Sequence, residues 1–241
     1  MKHKIINAKE FDNSELLLKD HFIITLKIIV EYCTYHRTDT NLVFTLLEMA
    51  NLRINQDLGF LQKFFKETIP KKYDFTTQRE ILSRFLNNLE EKRKEDCQDQ
   101  VRLGSHLLVL PILKNAFEGG QDHMILTQDL IQNLRKKIDF FYKEESSQYE
   151  PWVLVELSLI IDFILTKTNL RTQETDQTEF NRLLDDVLMF TWKNITRENP
   201  LLKNLSKLVV ARLISRFEKL KEPNKIGYIH QLYLSVICDT D

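Results

Sequence analysis

Glycine and proline are scarce in this chain, and that shortage limits its fold more than any other feature does. The 241 residues include five glycines and five prolines, about 4% in all, where an average chain holds about 12%. A fold with many tight β-turns needs more glycine, and nucleotide-binding folds need glycines clustered beside a phosphate. Because 43% of the residues are hydrophobic, the composition predicts a folded protein built from helices.

Apolar residues recur with the period of an α-helix along most of the chain, and sustained alternation with period two is almost absent. One clear stripe lies between Ile81 and Leu89, and another lies between Phe180 and Ile195. We therefore predict an all-α fold of about ten helices. Their approximate spans are 14–35, 40–53, 56–69, 76–91, 98–118, 127–143, 150–167, 177–194, 200–220 and 223–238.

Several helix ends carry recognisable signals. Thr77 and Glu80 have the spacing of a capping box, and Asn199 before Pro200 fits an N-cap followed by the first helical residue. The pair Gly119–Gly120 predicts the end of the preceding helix. Pro111 lies inside a helical pattern, where we expect it to kink the helix.

Taken in pairs, the predicted helices begin near residues 14, 56, 98, 150 and 200, in steps of about 42–52 residues, and HEAT and armadillo repeats have periods of about 40–47. We therefore predict one array over residues 1–241, an α-solenoid of about five HEAT-like hairpins; an irregular helical bundle is the alternative. Both ends are apolar, so we expect a section of a longer solenoid, or ends that pair with further repeats. The polar stretch 166–177 is predicted to be a mobile loop.

The chemistry of the sequence argues against most classes of ligand. With 34 basic and 35 acidic residues, the net charge of −1 predicts no bulk attraction to nucleic acid or to acidic membranes. We find no metal-binding or cofactor-binding motif, and the most apolar stretch, 153–165, is too short to span a membrane. The three cysteines lie far apart, which is typical of a reducing compartment. We expect no enzyme, no cofactor and no metal.

A basic run near the C-terminus is the candidate functional site. On a helix, Arg212, Arg216 and Lys219 share a face, close to Lys225 in the next helix. Cationic groups beside an apolar groove would suit an acidic protein segment. The alternative is an ordinary solvated surface.

Three segments, 101–119, 182–192 and 205–217, resemble in order and spacing the HEAT-repeat region of the TRRAP family. The first is an apolar helix that contains Leu110–Pro111 and closes with Phe117 and Glu118 before glycine. The resemblance covers roughly residues 80–238.

The resemblance implies a non-catalytic scaffold within a nuclear transcription coactivator of histone acetyltransferase complexes on chromatin. Its partners would be other subunits and acidic activation segments. Two alternatives remain: a cytoplasmic HEAT-type adaptor in transport or signalling, and a helical enzyme whose site is assembled from distant residues.

Overall fold

The computed structural model describes residues 14–52, 59–91, 98–143, 151–167 and 174–238. Within these ranges the chain forms eleven helices and no strand, which confirms the predicted all-α class. The helices are α1 (Ser14–Tyr35), α2 (Thr40–Leu52), α3 (59–72), α4 (Phe75–Glu91), α5 (98–118), α6 (Asp122–Ile125), α7 (Gln128–Lys143), α8 (Pro151–Lys167), α9 (Glu174–Ile195), α10 (Pro200–Lys219) and α11 (Pro223–Cys238).

Taken in chain order, ten of these helices make five successive pairs, which we number as hairpins one to five, and the short α6 lies in the connection within the third. Helices of neighbouring hairpins stack on one another: α4 packs on α7, α7 on α9, and α8 on α10. The predicted loop 166–177 is shorter than expected, because Thr166 and Lys167 end α8 and residues 174–177 begin α9. Residues 168–173 lie outside the described ranges, so the predicted mobility stays a prediction.

With one exception, the side-chain hydrogen bonds between separate elements in the described ranges span between 35 and 51 residues of sequence, which is about one repeat. The exception is Gln78 of α4, whose side-chain amide donates to the carbonyl of Pro70 in α3, eight residues earlier. Near the N-terminus the Tyr73 hydroxyl donates to the carbonyl of Cys33, 40 residues earlier. Near the C-terminus Arg135 donates to Asp186, 51 residues later. Polar contacts therefore connect each hairpin to the next one, as in a solenoid.

The apolar stripes seen in the sequence form the core. Ile81, Leu89 and Leu184 are among the side chains that are almost completely buried. α8 is covered on several sides, since residues 153–158 are all buried. Burying an aliphatic side chain contributes about 1.5–3 kcal/mol relative to leaving it exposed, so these stripes supply most of the force that holds the hairpins together.

Within the described ranges two helices contain π-helical segments, and each segment ends two residues before a proline. In α3, residues Phe64–Thr68 are π-helical, and the N–H of Ile69 donates to Phe64 five residues back. In α5, residues Gly104–Val109 are π-helical, and the N–H of Leu110 donates to Ser105. A proline in a helix lacks one donor and crowds the carbonyl four residues earlier. The wider turn relieves this conflict, so α3 continues past Pro70 and α5 past Pro111.

The helix-end predictions are confirmed with one exception. The Asn199 side chain accepts a hydrogen bond from Leu202 N at 3.0 Å, ahead of Pro200. The capping box at Thr77 and Glu80 is wrong. Asp74 is the N-cap of α4, since its carboxylate accepts from both the N–H and the hydroxyl of Thr77 at 2.9 and 2.8 Å, and the Glu80 carboxylate instead accepts from Thr40 of α2.

Gly120 ends α5 as predicted, with φ of 66°. The N–H of Gln121 donates to Ala116 O at 2.8 Å, and that of Gly120 donates to Phe117 O at 3.2 Å. This pair of bonds closes the last turn in the left-handed arrangement that glycine accepts without strain.

Candidate protein-interaction surface

The predicted basic surface on α10 is not one surface, because Arg216 faces the interior. Its side chain is only 6% exposed, and its guanidinium donates through Nε and Nη2 to the backbone carbonyl of Leu165 in α8. Burial lowers the pKa of Arg216. Arg216 therefore binds α10 to the preceding hairpin and is not available to an acidic partner.

Arg212 and Lys225 lie at the surface but already have acidic neighbours. Arg212 Nε is 3.4 Å from a carboxylate oxygen of Asp162 in α8, and Lys225 Nζ is 2.8 Å from Asp185 in α9. The ammonium of Lys225 also lies 5.2 Å from the ring centre of Phe217. These ion pairs join neighbouring hairpins, so both cations are already engaged in contacts within the array.

Lys219 is exposed, and two further lysines of α10, Lys203 and Lys207, lie on a different face of the helix from Arg212, Arg216 and Lys219. Lys203 and Lys207 are exposed one turn apart. On the same outward half of α10, Leu201 is 57% exposed and Leu208 is 41% exposed. We call these four residues the α10 face: lysines along one edge and leucines along the other. In the sequence, this face could have been recognised from its two leucines, because neither of them falls on the buried apolar stripe of α10.

A second exposed apolar surface lies on α1. Ile24, Ile28, Tyr32 and Tyr35 are all about half exposed or more. Their spacing of four, four and three residues places them along one side of the helix, and the Tyr32 ring stacks on His36 with centroids 4.3 Å apart. We call this set the α1 stripe. It lies on the first described helix, where we expected an apolar end, and among the described side chains of α11 Tyr228 and Leu234 are also exposed.

The adjacent carboxylates Asp185 and Asp186 do not form an acid–base pair. Asp185 faces Lys225 of α11, whereas Asp186 accepts a hydrogen bond from Arg135 Nε of α7 at 2.6 Å. Arg135 Nη1 also donates to Glu179 at 2.9 Å. These hydrogen bonds and charges raise the pKa of Arg135, against the opposing effect of its burial. Asp186 thus joins α9 to the preceding hairpin, and Asp185 joins α9 to the following one.

Other chemistry finds little support in the described ranges. They contain no group of three or more histidine, cysteine or acidic side chains placed to hold a metal ion. None of the described helices is long and apolar enough to cross a membrane. The sequence contains two glycosylation sequons, beginning at Asn194 and Asn204; Asn194 is buried, at 1% exposure, and Asn204 is exposed.

Stacked helical hairpins that contact their neighbours define the class of this protein, an α-solenoid of the scaffold type. The chain belongs to the family of the Tra1 HEAT repeat ring region, whose family model matches residues 2–237. This match confirms the resemblance to the TRRAP family.

One curated relative is a probable transcription-associated protein 1 of Dictyostelium discoideum. It is 24% identical over 243 residues, which cover 98% of this chain and 5% of the relative. The chain thus spans a small part of the relative's length. No solved structure matches the chain.

Proposed function

We propose that this chain is a non-catalytic, protein-binding section of a transcription coactivator scaffold, in the nucleus and within a histone acetyltransferase complex. The family match over residues 2–237 carries the proposal. The relative's description as a transcription-associated protein supports it over a cytoplasmic adaptor. The solenoid supplies long helix surfaces on which other proteins can dock.

The α10 face is the surface that best suits an acidic partner in this function. Activation segments of the acidic kind combine carboxylates with scattered apolar residues. Lys203 and Lys207 offer charges of opposite sign, and Leu201 and Leu208 offer apolar contacts beside them. Exposed charges of this kind mainly raise the association rate and make binding sensitive to salt.

Reversing two lysines tests this surface. We expect Lys203→Glu with Lys207→Glu to weaken binding of a synthetic acidic, leucine-containing peptide, measured by fluorescence anisotropy at low salt. The matched control is Lys71→Glu with Lys136→Glu, which changes the net charge equally at exposed sites on other hairpins. If both variants lost affinity equally, the loss would be due to net charge alone, and the α10 face would not be the binding site.

The α1 stripe is proposed to pack against further helical repeats. Contiguous apolar surface of this kind marks an interaction site in a monomeric protein, and the chain spans only 5% of its relative. The isolated chain should therefore associate with itself as its concentration rises. We expect Ile24→Ser with Ile28→Ser to abolish this association in sedimentation experiments, while the change of the separate exposed Met124 to Ser leaves it intact. A wild-type chain that stays monomeric at all concentrations would contradict the proposal.

A further inference from the structure

A carboxylate lies buried at the junction of the third and fourth hairpins. The Glu156 side chain of α8 is 6% exposed, and its Oε2 accepts no hydrogen bond. His106 of α5 places its Nε2 3.6 Å from that oxygen, with half of the imidazole exposed to solvent. An ionised carboxylate with a buried oxygen that accepts no hydrogen bond is costly, so such a group takes up a proton or a cation.

The backbone of α5 brings the imidazole to this position. His106 lies in the π-helical segment Gly104–Val109, next to the completely buried Ser105. Gly104 allows α5 to approach α4 closely, because a Cβ there would lie 2.5 Å from the Phe85 ring. The close packing and the wide turn together fix the imidazole beside α8.

Among the residues that the structure describes, the charged groups that act on Glu156 come from one helix. Arg102 and His106 of α5 act on it electrostatically. The other helix packed on this part of the array, α10, directs Arg212 to Asp162 and Arg216 to the Leu165 carbonyl, both further along α8. Burial raises the pKa of Glu156, while the Ser105 hydroxyl and the charges of His106 and Arg102 act in the opposite direction.

We propose that Glu156 holds a proton in the packed array at the junction of α5 with α8, and that loss of this proton loosens the junction. When the proton leaves, a buried anion remains whose Oε2 accepts no hydrogen bond and lies 3.6 Å from a half-exposed imidazole. The packed state then loses free energy.

The direction of the pH dependence follows from the raised value for Glu156. Protonation favours the folded junction, so its contribution is fully present in acid and is lost as the pH rises through the raised range. One linked proton changes the opening equilibrium by up to about tenfold per pH unit. Since the rotation between neighbouring repeats sets the curvature of a solenoid, the proton would regulate one joint of the array.

Hydrogen exchange of the intact 241-residue chain tests the proposal. After correction for the intrinsic exchange rate, amides in 104–109 and 151–160 should lose protection as the pH rises from about 4.3, the ordinary pKa of glutamate, through the raised pKa of Glu156, by up to about tenfold per unit over that range. In Glu156→Gln the pH dependence of these amides should vanish, and their protection at pH 8.5 should exceed that of the wild type.

Two histidine variants complete the test. His106→Gln should move the pH dependence to higher pH, because the charge of His106 acts against protonation of the Glu156 carboxyl. His123→Gln, an exposed histidine on α6, should leave it unchanged. An unchanged slope in Glu156→Gln, or lower protection at pH 8.5, would overturn the proposal. If Glu156→Gln does not fold, a pH dependence that stays at the same position in His106→Gln would overturn it equally.

Discussion

Arg216 shows how one side chain can join two repeats. Its guanidinium donates to the Leu165 carbonyl from a buried position, whereas Arg212, one turn earlier, lies at the surface and is 43% exposed in its side chain. A hydrogen bond to a charged group contributes about 1.5–3 kcal/mol, while an exposed ion pair contributes about 0–1 kcal/mol.

We therefore expect Arg216→Met to lower the free energy of unfolding by about 2–3 kcal/mol. Arg212→Met, the matched change one turn away, should lower it by less than about 1 kcal/mol. Urea denaturation followed by circular dichroism measures both. Similar losses in the two variants would mean that Arg216 has no special structural role.

The same pair of arginines shows what could not be predicted from the sequence. The period of α10 places Arg212, Arg216 and Lys219 on one broad side of the helix, but a 3.6-residue period cannot decide which of two basic residues 40° apart faces the next helix. That choice depends on the carbonyl at the end of α8, which comes from another hairpin. A buried arginine was therefore interpreted as part of a surface.

The N-cap at Asp74 gives a separate prediction at the residue scale. The hydrogen bond from the backbone N–H of Thr77, assisted by that from its side chain, lowers the pKa of Asp74 against the opposing effect of burial. A lowered value means that the stabilisation is present above the ordinary carboxyl range and is lost as the pH falls through the lowered range.

We expect Asp74→Ala to cost about 1 kcal/mol at neutral pH, and Asp74→Asn to cost much less there. The difference between wild type and Asp74→Asn should shrink or reverse in acid, as measured by thermal unfolding between about pH 2 and pH 7. No loss in Asp74→Ala would contradict the cap assignment.

At the scale of the helices, periodicity located most elements but missed their irregular parts. The stripes of α4 and α9 are buried as predicted. The π-helical segments before Pro70 and Pro111 could not be read from the sequence, because a single widened turn hardly alters a 3.6-residue pattern. The predicted end of α3 at residue 69 lies directly before Pro70, whereas the helix continues to Lys72.

Gly104 is where the irregular turn of α5 meets its neighbours. A Cβ at this position would lie 2.5 Å from the Phe85 ring and 3.3 Å from Leu47. We expect Gly104→Ala to destabilise the chain by about 1–3 kcal/mol, as overpacking does. Gly227→Ala in α11 meets open space and should stabilise by up to about 1 kcal/mol. Thermal unfolding of both variants checks this pair, and a stabilising Gly104→Ala would contradict the close packing.

At the scale of the whole molecule, contacts between hairpins recur at a nearly constant sequence separation, as a repeat architecture requires. Contacts such as Cys33 with Tyr73, His106 with Glu156, and Asp162 with Arg212 link each hairpin to its neighbour over 40 to 50 residues. The steps between predicted helix pairs already gave this spacing. In a linear array of this kind, stability is nearly a sum of repeat and junction contributions, and damage at one junction should remain local.

Native-state hydrogen exchange of the Arg216→Met chain tests this central claim most directly. We predict that amide protection falls in α8, α9, α10 and α11, on both sides of the altered junction. Helices α1, α2 and α4 should keep most of the wild-type protection. Loss of protection to the same extent in all helices would show one cooperative bundle and would contradict the repeat array.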